Sequence, residues 1–331
     1  MNQLRLFSQR EIYACPIENG RILGPLADGA PVIVSNGMGS DSMAMLVESS
    51  RIGLTPDAIV TALVGRSWFG NENRATYSYL PVQQHWLAGV GFPPIQFVWY
   101  KLGRKAKHYE YLSLAGNCLA NRTLPSISFR RTHSCSVKWK GDVIDRWVTN
   151  QYGDQPCYWL VGYDCTEGHR NTRFSNIKPR SKARAGDVFL YPLQQWGFTR
   201  ESCLDAIDSA GLPQPGKSSC FFCASMKSYE LDSLYPDELW VIVIIEANAQ
   251  PNLRSIKGLF GHNGRMTDYI VSRGLLPPEL VGEVWGKWSA VLRPPELRDN
   301  PDAVADQILF AEANRLAAMT GFIRLPDIFP I

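Results

Sequence analysis

Two stretches of this chain carry residue types and spacings suited to chemistry. At 35–42 the sequence reads Ser-Asn-Gly-Met-Gly-Ser-Asp-Ser, directly behind the apolar run Val32-Ile33-Val34. Gly37 and Gly39 allow the backbone to approach an anion closely. The first N–H groups of a helix starting here have no internal partner, and Ser35, Ser40 and Ser42 add hydroxyl donors. Such a loop suits phosphate, and its binding set is Ser35, Asn36, Gly37, Gly39, Ser40, Asp41 and Ser42. Asp41 would orient the loop or reach Mg²⁺, and Asp41 and Ser42 are the catalytic candidates. No Gly-Lys-Ser/Thr follows as in a Walker A loop, and Gly37-Met38-Gly39 lacks the third glycine of a dinucleotide fingerprint.

The second stretch is built from thiols. Cys220-Phe221-Phe222-Cys223 is a Cys-x-x-Cys, and Cys135 lies in His133-Ser134-Cys135-Ser136-Val137-Lys138. Three thiolates are soft ligands suited to an iron-sulfur cluster or zinc, while a Cys-x-x-Cys alone is equally a redox dithiol or a coincidence of packing. No fourth ligand stands out, since Cys157, Cys165 and Cys203 read as packed thiols. His133 reads as a structural histidine. Basic residues gather at 101–108 and 178–184, the first reading as a solvated surface or, alternatively, a track for a nucleic-acid backbone.

These residues need a scaffold. Apolar runs at 31–34, 58–64, 95–99, 126–129, 157–163 and 188–190 read as strands; helical patterns at 42–50, 76–90, 109–120 and 137–149 alternate with them. That alternation implies an α/β fold, a parallel sheet with helices on both faces. Beyond Thr199 the pattern turns mainly helical, at 200–210, 236–249, 266–273, 278–292 and 301–320. The division expected is an irregular arm at 1–30, a nucleotide-binding domain with the cysteine set at 31–225, and a helical C-terminal region at 226–331. The polar, basic stretch 167–185 reads as a mobile loop that covers a site. A net charge of +3 is too mild to require a polyanionic partner. No window approaches a membrane span and the opening residues lack an apolar signal core, so the expected compartment is cytoplasmic and the eight cysteines are expected as thiols.

The strand, the Ser-Asn-Gly-Met-Gly-Ser-Asp-Ser loop and the apolar helix behind it resemble the PP-loop superfamily of N-type ATP pyrophosphatases, whose signature is Ser-Gly-Gly-x-Asp-Ser. Tyr191-Pro192-Leu193 with Thr199, then Gly216-Lys217-Ser218-Ser219-Cys220-Phe221-Phe222-Cys223, is similar to the phosphoadenosine phosphosulfate reductase branch. The Cys135 element looks like that branch's Cys-Thr-x-x-x-Lys, displaced by a residue. The resemblance covers 31–225 and implies a Rossmann-like, HUP-type sheet that binds ATP or a related adenine nucleotide with Mg²⁺. It further implies Arg170 as a phosphate contact and Cys135, Cys220 and Cys223 as holders of an iron-sulfur cluster. The activity implied is adenylation of an acceptor followed by sulfur transfer, with a tRNA base, DNA or a small molecule as acceptor. Alternatives are a sulfonucleotide reductase, disfavoured because no cysteine follows Cys223, and a non-catalytic nucleotide-binding component of a modification or defence complex. A homodimer or protein partners are compatible with either.

Overall fold

The computed structural model describes residues 16–65, 71–102, 109–125, 135–167, 184, 186–290, 292–300 and 303–322. In chain order the strands are β1 (Ile17–Glu18), β2 (Arg21–Ile22), β3 (Val32–Ser35), β4 (Ala58–Leu63), β5 (Ile95–Trp99), β6 (Tyr158–Val161) and β7 (Val188–Leu190). The helices of the first two hundred residues are α1 (Ser40–Arg51), α2 (Arg74–Ser78), α3 (Leu80–Gly89), α4 (Leu114–Asn121), α5 (Asp142–Tyr152), α6 (Pro192–Gln195) and α7 (Arg200–Ser209). Then come α8 (Pro236–Ala249), α9 (Met266–Ser272), α10 (Pro278–Ser289), α11 (Pro295–Arg298) and α12 (Ala305–Met319). The chain divides into two compact units, one of Met1–Ala62, Arg74–Val98 and Asp142–Ser218, the other of Leu63–Asn73, Trp99–Gly141 and Ser219–Ile331. The expected boundary near 225 falls close to one of these breaks, but the segments at 63–73 and 99–141 belong with the C-terminal helices.

The first unit is built on the expected α/β architecture. Its five-stranded parallel sheet has the order β5-β4-β3-β6-β7. The chain fills one side of β3 first and then returns to the other, so the topological switch point lies between β3 and β6. In sheets of this kind ligands commonly bind at such a point, beyond the carboxyl ends of the strands. β3 is central and therefore needs apolar side chains on both faces; Ile33 and Val34 are completely buried. Behind it α1 buries Met43, Ala44, Met45 and Leu46 and packs on α7. Its C-terminus is a Schellman motif: Leu54 N–H donates to Ser49 O at 2.8 Å and Gly53 N–H to Ser50 O at 3.2 Å, with Gly53 at φ +74°.

Two expectations change here. Part of the arm at 1–30 is ordered as the β1-β2 hairpin, turned by Asn19 and Gly20 at φ +49° and +73°, the pair of left-handed residues that a type I′ turn demands. The helix expected at 76–90 is two helices, broken at Tyr79. Pro81 in the first turn of α3 lacks the N–H needed to continue a helix from α2. The strand expected at 126–129 lies outside the described residues.

The second unit is helical around α8, in which every residue after Pro236 is buried. A helix apolar on all sides must be surrounded, and α8 packs on α4, α9, α10 and α12. Glu246, the acid buried in the middle of the helix, is fully used: Oε1 accepts from Leu259 N–H at 2.7 Å and Met266 N–H at 3.0 Å, and Oε2 from Thr267 N–H at 2.9 Å and Thr267 Oγ1 at 2.6 Å. The carboxylate thus caps α9, satisfying N–H groups that helix geometry leaves without partners.

Candidate phosphate loop and thiol cluster

The loop follows β3 at the switch point. Asn36 N–H still bonds β4 through Val60 O at 2.9 Å. Its amide then turns inward, 3% exposed, donating to Thr61 Oγ1 at 2.9 Å and pairing with the Gln83 amide, while its Oδ1 accepts from Met38 N–H at 3.2 Å. Asn36 therefore shapes the loop from beneath, and its side chain is committed to the interior. The bend falls on Met38, at φ +60°, an uncommon conformation for a side chain of that size. Gly37 has a different use. A methyl there would meet only Ser218 Oγ at 3.9 Å and Ser42 Oγ at 4.0 Å, ordinary contacts, so the protein's own packing does not call for glycine.

Ser40 and Ser42 are buried in the first turn of α1. Ser42 Oγ donates to Gly39 O at 3.0 Å and accepts from Gly39 N–H at 3.2 Å, which fixes the helix entry and occupies the hydroxyl named as a catalytic candidate. Asp41 is ion-paired: Arg200 Nη1 lies 2.9 Å from its Oδ1, with the two side chains 51% and 21% exposed. Arg200 opens α7 behind the Thr199 cap, whose hydroxyl accepts from Ser202 N–H at 3.3 Å. Across the switch point, Ser35 stands beside Val161 in the β3-β6 register. Gly162 follows, and a Cβ on it would lie 3.0 Å from Asp41 C and Ser42 N. No side chain fits between the end of β6 and the start of α1. Arg170 lies outside the described residues, as does most of the loop expected at 167–185.

The thiols belong to the second unit. Asn71–Asn73 pairs with Ser219–Phe221 through Phe221 N–H to Asn71 O at 3.1 Å and Asn73 N–H to Ser219 O at 2.8 Å, which sets Glu72 opposite Cys220. Cys223 N–H donates to Cys220 O at 3.0 Å, so the Cys-x-x-Cys is one tight turn. Glu72, with a fully buried side chain, holds Lys140 Nζ at 2.6 Å through Oε1; its Oε2 has no hydrogen-bond partner among the described residues. Lys140 sits on a π-helical turn, Ser136–Gly141, that directly follows Cys135.

Charges in this cluster are interdependent. Burial pushes the Cys220 thiol well up, the Glu72 charge adds to this, and Lys140 opposes it. Burial also raises Cys135, helped by the charge of Cys223. Burial works to lower the Lys140 pKa, but Glu72 and Cys220 outweigh it and the net shift is upward. Lys138, the lysine picked out in the sequence, lies instead over the Tyr100 ring, 4.8 Å from its centroid. Counting from Cys135, the run Cys-Ser-x-x-x-Lys ends on Lys140 with no displacement. His133 lies outside the described residues.

Among the described residues no three His, Cys, Asp or Glu side chains stand where together they could hold a metal ion. The described thiols as they stand do not fit a single ion. Mg²⁺ asks less of a protein, being held commonly by one or two carboxylates together with substrate phosphates. The carboxylate in the loop is Asp41, paired with Arg200.

No family model matches the chain, and no curated protein matches it. Arg200, Gly162, Glu72 and Lys140 were not among the residues singled out as site candidates from sequence. Each reaches its partner across a long stretch of chain, though Lys140 had a local signal in its spacing from Cys135 and Gly162 and Arg200 lay in stretches that carry the resemblance. Among the described residues no helix is long and apolar enough to cross a membrane.

Proposed function

We propose that this chain is an adenine-nucleotide-dependent enzyme of the PP-loop type that activates an acceptor oxygen by adenylation. One observation carries the reading: a Gly/Ser loop opening a helix stands at the switch point of a parallel sheet, with Arg200 beside it. In the reaction the acceptor oxygen attacks the α-phosphorus, the bond to the bridging oxygen of the β-phosphate breaks, and pyrophosphate leaves. Loop N–H groups and Arg200 would stabilise the charge gathering on the phosphate oxygens. Mg²⁺, when bound, would be held by Asp41 and the phosphates and would neutralise part of their charge. A sulfur nucleophile would then displace AMP, and Cys135, Cys220 and Cys223 are the residues proposed for sulfur handling. A tRNA base, DNA and small molecules are the acceptor classes to test.

A second reading is a nucleotide-binding component without turnover. It is favoured by the fact that both nominated catalytic side chains are engaged within the protein, Ser42 with Gly39 and Asp41 with Arg200. A pyrophosphate-release assay with ATP and each acceptor class separates the two. Adenylation requires pyrophosphate that Asp41→Ala reduces at least about 100-fold, a typical loss for an electrostatic group at a transition state. ATP binding with no pyrophosphate from either protein would leave the second reading standing.

A further inference from the structure

The Cys220–Cys223 turn is anchored from within. Phe221 and Phe222, the two residues between the thiols, are buried and meet edge to face with ring centroids 5.0 Å apart. They fix the turn in the helical core, while both cysteines pack against that core and stay partly exposed. The bond from Cys223 N–H to Cys220 O closes the turn. Such a turn brings its first and last Cα atoms within about 7 Å, the range that a disulfide bridges. Two thiols on a rigid, accessible turn are therefore within reach of each other.

Glu72 stands directly opposite Cys220 in an antiparallel bridge, and side chains so opposed rise on the same face with their Cβ atoms about 4.5–5.5 Å apart. The Glu72 side chain is fully buried, and Lys140 Nζ takes Oε1 at 2.6 Å. Oε2 has no hydrogen-bond partner among the described residues. An open oxygen in the interior costs stability, and a purely structural ion pair has no use for it. A proton from Cys220 would supply the missing partner. Lys140 enters from the π-helical turn Ser136–Gly141, a distortion that concentrates at functional sites. Burial holds Cys220 in its thiol form, so its sulfur becomes a nucleophile only when a neighbouring group takes the proton.

We propose that Cys220 and Cys223 are a redox-active pair that exchanges two electrons with a disulfide substrate, Glu72 taking the Cys220 proton in the closing step. Two thiols suffice for this, whereas a metal centre needs more ligands than the described residues bring together. The phosphate loop takes no part, so the inference does not depend on the nucleotide reading. With a low-molecular-weight disulfide as oxidant, the Cys223 thiolate attacks one of its sulfurs. A mixed disulfide forms on Cys223, and the other half of the substrate leaves as a thiol with the Cys223 proton. The Cys220 sulfur then attacks Cys223 Sγ, the bond to the substrate sulfur breaks, and the second half leaves as a thiolate. The Cys220 proton passes to Glu72 Oε2 and from there to that thiolate. The pair ends oxidised to a disulfide and the substrate reduced to two thiols. Lys140 is a positioning residue that holds Oε1 and leaves Oε2 open.

The test incubates the reduced full chain with glutathione mixtures of stepped oxidised-to-reduced ratio, quenches by alkylation and maps the cysteines by mass spectrometry. A Cys220–Cys223 disulfide should appear in an amount set by the ratio and return to two thiols with dithiothreitol. Cys220→Ser should instead accumulate glutathione on Cys223. Glu72→Gln should close the disulfide at least about 100-fold more slowly, the low end for proton transfer to a positioned group. Its closure rate should also rise about tenfold per pH unit, as the thiolate fraction does below a thiol pKa, while that of the unaltered protein rises less steeply. If Glu72→Gln does not fold, Glu72→Gln/Lys140→Met, which strands neither charge, is read in its place. Cys220 and Cys223 remaining thiols in oxidised glutathione, a disulfide joining either to Cys135, or iron or zinc retained on these thiols would overturn the redox pair. Equal pH slopes with and without Glu72 would overturn its part in the proton transfer.

Discussion

At the residue scale the two sites use charge in opposite ways. Asp41 and Arg200 are paired at the surface, where an ion pair contributes roughly 0–1 kcal/mol and can be exchanged cheaply for a ligand. Glu72 and Lys140 are paired around a carboxylate that has no access to water. Lys140→Met should cost about 3 kcal/mol in urea unfolding, because it strands a buried charge, with the lower end of the range expected since Lys140 is 34% exposed. The double variant Glu72→Gln/Lys140→Met should recover most of that loss, and a double variant no more stable than the single one would refute the argument. Thiol reactivity gives a second test with a definite sign. Burial raises the pKa of Cys220 and Cys135, so their thiolate fractions stay low at neutral pH and grow only as pH rises above the ordinary thiol range. In pH-resolved alkylation read by mass spectrometry, exposed Cys165 should be labelled well before Cys135 and Cys220. Rapid labelling of Cys220 at pH 7 would contradict its placement against Glu72.

At the scale of elements, the joint between β6 and α1 is the most constrained part of the phosphate site. Gly162→Ala would place a methyl 3.0 Å from backbone atoms of Asp41 and Ser42, and backbone cannot yield as a side-chain tip can. It should lower stability by about 1–3 kcal/mol and weaken nucleotide binding together; a protein of unchanged stability would show that the joint gives. The elements themselves were legible to different degrees. β5, β7 and α8 have the bounds read from sequence, since a short β-branched or aromatic run and a long apolar run behind Pro236 each admit one answer. The break between α2 and α3 was legible in Pro81 but was outweighed by the helical period around it. The hairpin was likewise announced by Asn19-Gly20, between strands of only two residues each that carry almost no periodic signal.

At the scale of the whole molecule, what sequence could not convey is which remote segments meet. Ser218 lies 181 residues from the Gly37 carbonyl it bonds, Arg200 lies 159 from Asp41, and Lys140 lies 68 from Glu72. Local spacing marks the loop and the Cys-x-x-Cys; only the fold brings them their charged neighbours. The same holds for the division into units, where 63–73 and 99–141 leave the sheet unit to join helices from the far end of the chain. The account's central claim, that the loop at 35–42 holds a nucleotide's phosphates, is met most directly by Gly37→Ala. The added methyl finds only ordinary contacts at 3.9 and 4.0 Å within the protein, so the melting temperature should stay within about 2 °C of the unaltered chain, the shift expected for a change below 0.5 kcal/mol. In calorimetric titration with Mg·ATP the affinity should nevertheless fall by at least about tenfold, because the methyl occupies the space in which the backbone approaches phosphate. Undiminished ATP binding by Gly37→Ala, or none by the unaltered protein, would contradict the account.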